Sequence, residues 1–90
     1  MIARRLLISG IVQGVGYRYF AQRSAARHQV TGFVKNLEDG SVEALIQGTE
    51  KKVLAMRDDL AAGPRDSRID QIEELVVEPT GEYSAFRIER

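Results

Sequence analysis

Residues 5–12, RLLISGIV, place Leu6, Ile8 and Val12 on one side of an extended chain and Leu7 and Ile11 on the other. Apolar residues on both sides suit a central strand. From Tyr17 the period lengthens. Tyr17, Phe20, Ala21, Ser24, Ala25 and His28 fall on one helical stripe, while Arg23 and Arg27 face away. Residues 30–37, VTGFVKNL, return to β-branched and aromatic content and predict a second strand. The Asp39-Gly40 pair then separates two apolar-rich runs, a hairpin signal, and SVEALIQG (41–48) is the partner strand. Thr49 is placed to cap a second helix with Glu50 in its first turn, and Val53, Met56, Leu60 and Ala61 form its expected buried stripe. Gly63 and Pro64 end that helix. RDSR (65–68) reads as a loop, IDQIEELVVE (69–78) as a strand, and YSAFRIE (83–89) as a short last strand with Phe86 and Ile88 on one face.

The order strand–helix–strand–strand–helix–strand, plus a short C-terminal strand, predicts an α+β chain. Its arrangement is the ferredoxin-like split βαβ sandwich, with a mostly antiparallel sheet. Right-handed crossovers put both helices on one face of that sheet. Ninety residues suit one domain, 1–90, with a thin core that buries roughly 60–65% of the unfolded surface. Thirteen basic and thirteen acidic residues cancel. Such a chain lacks the field that gathers polyanions, which disfavours nucleic acid as a partner. A local anion site needs only a few groups and stays open. No cysteine is present, which removes disulfides and thiolate metal sites and fits the cytosol. The N-terminal apolar run is too short for a membrane span, and glycine and glutamine interrupt it.

The candidate chemistry lies between the first strand and the first helix, in Gln13-Gly14-Val15-Gly16-Tyr17-Arg18. A helix N-terminus offers free N–H groups and partial positive charge. Glycines before it let successive amides turn inward as a nest for phosphate, sulfate or carboxylate. Arg18 adds a charged fork matched to two phosphate oxygens. A cation in a first helical turn opposes the helix dipole, so Arg18 calls for a compensating anion. Taken singly, the glycines also read as a tight turn. The spacing is neither the dinucleotide fingerprint nor a P-loop. Asn36, by position alone, reads as polarity at a hairpin end.

Other polar residues have plainer readings. Gln13 is a loop hydrogen-bonder. His28 sits near a helix C-terminus, where positive charge is tolerated, rather than in a metal or catalytic site. Glu38 and Asp39 are turn chemistry. The pairs Asp58-Asp59 and Glu73-Glu74, and the Arg23/Arg27 stripe, are solvated faces.

GIVQGVGYR (10–18) and TGFVKNLEDGSVE (31–43) resemble the two signatures of the acylphosphatases, and the likeness runs on through ALIQGTEKKVLAM to the closing FRIE. The resemblance implies a small ferredoxin-like hydrolase that cleaves the carboxyl-phosphate bond of acyl phosphates. It implies that Arg18 binds the phosphate, that the amides of about Val15 to Arg18 complete the cradle, and that Asn36 positions the attacking water. With no cysteine, one histidine and no carboxylate cluster at ligand spacing, no metal or cofactor is expected; the expectation is a cytoplasmic monomer, with phosphate or sulfate as competing anions that fit the same cradle. Three departures stand out. Tyr17 replaces a usual phenylalanine, Lys35 stands where arginine is frequent, and RHQVT (27–31) lacks the more usual glycine after the first helix.

The chemistry is compatible with so few groups. A carboxylate leaving group departs without protonation, and a loose phosphoryl-transfer transition state asks for an oriented water more than a strong base. Three rivals remain. An RNA-binding module shares the strand order but wants aromatic residues on the two central strands, which carry none. An anion sensor would keep the loop and Arg18 without needing Asn36. The third is a helper domain acting on carbamoyl phosphate inside a larger hydrogenase-maturation protein, which a solitary 90-residue chain disfavours.

Overall fold

The structure, a computed structural model, describes residues 1–90. Its elements run β1 (Ile2–Ile11), α1 (Tyr17–His28), β2 (Thr31–Asn36), β3 (Val42–Gly48), α2 (Glu50–Ala62), β4 (Arg68–Val77) and β5 (Phe86–Glu89). One five-stranded sheet holds them in the order β4-β1-β3-β2-β5. β1 pairs antiparallel with β3 and β4, β3 pairs antiparallel with β2, and β5 joins β2 in parallel. This is the expected ferredoxin-like sandwich.

Alternation along the strands decides which face is covered. Leu6 and Ile8 of β1, Val34 of β2, and Val42, Ala44 and Ile46 of β3 are buried with Ala21 and Ala25 of α1 and Val53, Met56 and Leu60 of α2. Replacing any large member of this cluster by alanine costs about 2–5 kcal/mol. Ala61, expected in the stripe of α2, is exposed. It lies 100° round the helix from Leu60, past the edge of the buried face. Thr49 takes the N-cap position in an extended conformation, but its side chain makes no capping hydrogen bond. The last strand begins at Phe86, later than the pattern suggested. Tyr83 instead packs against Phe33, with ring centroids 5.8 Å apart.

Two long-range features fix the parts that frame the anion loop. β1 carries an irregularity between Ser9 and Gly10, where its pairing with β4 slips by a residue. Gly10 has φ 132°, and a Cβ there would stand 2.0 Å from the Arg68 carbonyl oxygen, so only glycine fits. On the other face, Gln47 of β3 is buried. Its Nε2 donates to the Thr80 carbonyl (2.7 Å) and its Oε1 accepts from the Thr80 amide (3.1 Å). That pair pins the β4–β5 connection to the central strand and so steers β5 to its place beside β2.

The helices are also tied to each other. Asp59 of α2, expected on a solvated face, accepts from Ser24 Oγ (2.7 Å), His28 Nε2 (2.9 Å) and Arg27 of α1. Glu74, also expected to be solvated, accepts from Arg4 (3.2 Å) and Arg57 (3.5 Å), linking β4 to β1 and α2.

Candidate functional site

The loop leaves β1 at Ile11, buries Val12, and makes two left-handed steps, Gly14 at φ 76° and Gly16 at φ 78°. An L side chain resists this conformation, which accounts for glycine at both positions. A Cβ at either would meet no atom within 4 Å, so space beside both glycines is open. Gly16 is also the N-cap of α1. No side chain bonds to the first-turn amides, and the turn holds no acidic residue. Its N–H groups and the positive end of the helix dipole are therefore available to an anion.

Neighbouring elements hold this loop in place. Gln13 Nε2 donates to the Leu37 and Ser41 carbonyls, both at 2.8 Å, which staples the loop to the β2–β3 hairpin. The hairpin is held in turn by Asp39 Oδ1, which accepts from the Ser41 amide at 3.0 Å and from the Ser41 hydroxyl. Those two bonds, the hydroxyl's first, hold the Asp39 carboxyl below its ordinary range, in keeping with turn chemistry. Tyr17 is 1% exposed, and its hydroxyl donates to the Leu60 carbonyl at 2.7 Å. Burial pushes the phenol well above its usual pKa. The acceptor is a carbonyl in the last turn of α2, where no intrahelical donor remains. Tyr17 therefore anchors the start of α1 to the end of α2.

Arg18 follows in the first turn. One of its terminal nitrogens donates to the Glu89 carbonyl of β5 at 3.5 Å. Glu89 is in register with Lys35 of β2, next to Asn36. Asn36 is in register with Val42 and shares the helix-covered face with Val34. Its Oδ1 is buried and has no hydrogen-bond partner in the protein. Gln13 bonds the carbonyl of the very next residue, Leu37. The fold thus brings Gln13, the two glycines, Arg18 and Asn36 to one end of the sheet on its helix-covered side. His28 is not among them: it joins the Asp59 cluster at the far end of α1.

A second depression lies elsewhere, on the uncovered sheet face between Leu7, Ser9, Leu37 and Glu73. It has no cationic lining and is not part of this site. No group of three or more His, Cys, Asp or Glu side chains is placed to hold a metal ion.

Residues 4–88 match the family model described as Acylphosphatase. The chain belongs to the acylphosphatase family. The acylphosphatase of Mannheimia succiniciproducens is 38% identical over 89 residues, covering 99% of each chain. The crystal structure of acylphosphatase from Bacillus subtilis superimposes with a TM-score of 0.95 at 32% identity, covering 100% of both chains. Full-length HypF, in a phosphate- and nucleotide-bound form, matches with a TM-score of 0.85 at 33% identity, covering 99% of this chain but 12% of that one. The enzyme class expected of the family, a hydrolase of acyl phosphates, stands with these matches.

Sequence reasoning named Gln13 as a loop hydrogen-bonder but not its partners across the hairpin. It did not single out Gly10, Gln47 or Thr80, which place the loop and β5. Glycine in a strand, beside an apolar run, was the available signal for Gly10.

Proposed function

We propose that residues 1–90 act as one acylphosphatase domain, with Arg18 and the amides of the 13–18 loop binding the phosphate and Asn36 orienting the water that attacks it. The observation that carries this reading is Asn36 Oδ1, a buried carbonyl oxygen without a protein partner, one residue from Leu37, whose carbonyl ties β2 to the anion loop through Gln13. Leaving such an atom unpaired costs about 1–3 kcal/mol. A water donating to it meets that need and, in this reading, stands beside the anion cradle.

In the proposed reaction the loop amides and the Arg18 fork hold the phosphoryl oxygens as charge spreads over them. The water, donating one hydrogen to Asn36 Oδ1, aims a lone pair at phosphorus opposite the acyl oxygen. The new P–O bond forms as the bond to the acyl oxygen breaks. The carboxylate leaves with that electron pair and needs no proton. The water's proton passes to a phosphoryl oxygen, giving a carboxylate and inorganic phosphate. No general acid, covalent nucleophile or metal ion enters these steps. The substrate is a small acyl phosphate, and inorganic phosphate and sulfate compete for the same cradle. Nucleic acid and membrane are no partners in this scheme. No helix is long and apolar enough to cross a membrane. The proposed setting is a cytoplasmic monomer.

The test is phosphate release by purified protein from acetyl, benzoyl and carbamoyl phosphate and from a plain alkyl phosphate, with and without chelator. The expected result is turnover of acyl phosphates that survives chelation and is inhibited competitively by phosphate, with the alkyl ester nearly untouched. Comparable turnover of the alkyl phosphate, or activity that returns only with added Mg²⁺ or Zn²⁺, would reject the mechanism. Phosphate binding without turnover of any acyl phosphate would make the domain an anion sensor.

A further inference from the structure

Gln13 is the residue of the anion loop whose side chain reaches the β2–β3 hairpin. Its amide nitrogen carries two hydrogens, and both are taken, one by the Leu37 carbonyl and one by the Ser41 carbonyl, each at 2.8 Å. None is left to donate to a phosphate, so this nitrogen does not serve the anion directly. The two carbonyls stand at the two ends of the turn that follows Asn36. The Ser41 carbonyl also accepts from the Leu37 amide at 2.9 Å, and the Leu37 carbonyl from the Gly40 amide at 3.2 Å. The Leu37 amide belongs to the peptide unit that joins Asn36 to Leu37. Asn36 itself ends the β2–β3 ladder, opposite Val42. One side chain thus grips the acceptor that fixes the peptide leaving Asn36, and the carbonyl of the next residue as well. Its own backbone lies between buried Val12 and Gly14, the first left-handed step of the cradle.

We propose that Gln13 is a positioning residue for the hydrolysis, whose bridge sets where Asn36 and its water stand relative to the bound phosphate. The inference rests on the water-orienting reading of Asn36. The loop amides and Arg18 follow Gln13 in one continuous segment and hold the anion among themselves. Asn36 comes from a different strand, and its Oδ1 has no protein partner to fix it. Its register with the cradle therefore depends on how the end of β2 is tied to the loop, and Gln13 supplies that tie. In-line attack is sensitive to such register: a misplacement of about 1 Å can cost about 100-fold in rate. Loss of the bridge is felt in the chemical step more than in anion affinity.

The experiment is a double-mutant cycle of wild type, Gln13→Met, Asn36→Ala and the pair, with kcat on acetyl phosphate and the inhibition constant of inorganic phosphate measured on each. Methionine matches glutamine in length and has no donor. Gln13→Met is expected to lower kcat roughly 10- to 100-fold and to keep phosphate inhibition within about threefold of wild type. In the Asn36→Ala background the same change is expected to cost less than about threefold, because a group that acts through Asn36 then has nothing to place. An equal loss in both backgrounds, as a residue that only braces the fold would give, overturns the proposal. So does an unchanged kcat in Gln13→Met, or phosphate inhibition weakened as much as kcat. If Gln13→Met does not fold, the cycle is run with Gln13→Asn, which keeps the amide and shortens its reach by a methylene, and is judged by the same outcomes. Near-normal kcat in Asn36→Ala alone defeats the water-orienting reading and the proposal with it. That result is distinct from an unchanged Gln13→Met beside an impaired Asn36→Ala, which defeats the proposal only.

Discussion

Gln29 ends α1 at φ 57° and ψ 46°, the left-handed conformation, in a non-glycine residue. The Val30 amide donates to the Ala25 carbonyl at 2.9 Å, closing the helix in the manner that usually employs glycine at this position. A left-handed non-glycine residue carries about 1–2 kcal/mol of steric strain. Glycine removes that strain but loses about 0.5–1 kcal/mol to the greater freedom of the unfolded chain. The Gln29 side chain gives little back. Its Oε1 accepts from the exposed Lys52 ammonium, a contact of small net worth. Gln29→Gly is therefore expected to stabilise the fold by about 0.5–1 kcal/mol. That corresponds to a rise in Tm of about 2–8 °C for a domain of this size. Gln29→Ala keeps the strain and should leave Tm unchanged or slightly lower. Gln29 lies at the opposite end of the 12-residue α1 from the loop, so kcat on acetyl phosphate should not move in either variant. Thermal melts of the two proteins decide the matter. Equal Tm values for the glycine and alanine variants would refute the strain argument.

Tyr17→Phe leaves the Leu60 carbonyl without its donor and should cost about 1–2 kcal/mol, read as a lower denaturant midpoint with an unchanged slope. Arg18→Lys should be nearly as damaging to kcat/KM as Arg18→Ala, by roughly 30- to 1000-fold, because lysine keeps the charge and loses the planar fork. Wild-type kinetics in the lysine variant would make Arg18 a bystander. Burial alone would raise the Asp59 pKa, but hydrogen bonds from Ser24, Arg27 and His28, with the charge of Arg27, outweigh it and hold the carboxyl below its ordinary range. A carboxyl depressed by folding lends stability that is present above its unfolded pKa and lost as pH falls through the folded value. Asp59→Asn should therefore flatten the fall in Tm on the acid side of the ordinary carboxylate range, and a parallel acid limb in both proteins would contradict the assignment.

The fold was legible because its signals are periodic. Alternation at Leu6 and Ile8 and the wider stripe from Tyr17 to His28 each named a face, and the Asp39-Gly40 turn fixed the hairpin. Partners across the fold left no such trace. Asp59 reads like Asp58 in the chain, and only the packing of α1 on α2 sets three donors against it. Gln47 sits among strand residues, and nothing local says that it holds Thr80, 33 residues away. The loop was visible as a glycine pair before an arginine, since the left-handed φ of Gly14 and Gly16 needs that residue type. Asn36 was the opposite case. Its position suggested only the end of a hairpin, and its proposed role comes from the family likeness and from its unpartnered oxygen.

The role of Asn36 is the most exposed part of the account, and one set of measurements on Asn36→Ala tests it: kcat on acetyl phosphate, the inhibition constant of inorganic phosphate, and Tm, all on the same sample. A group that orients the nucleophile acts on the chemical step more than on anion affinity. The expected result is a fall in kcat of roughly 100- to 1000-fold, with phosphate inhibition within about threefold of wild type. Removing a buried oxygen that has no protein partner should not lower Tm. A folded variant with near-normal kcat and a reduced Tm would contradict the account, leaving Asn36 as the end of a hairpin and the loop as an anion site without its proposed water.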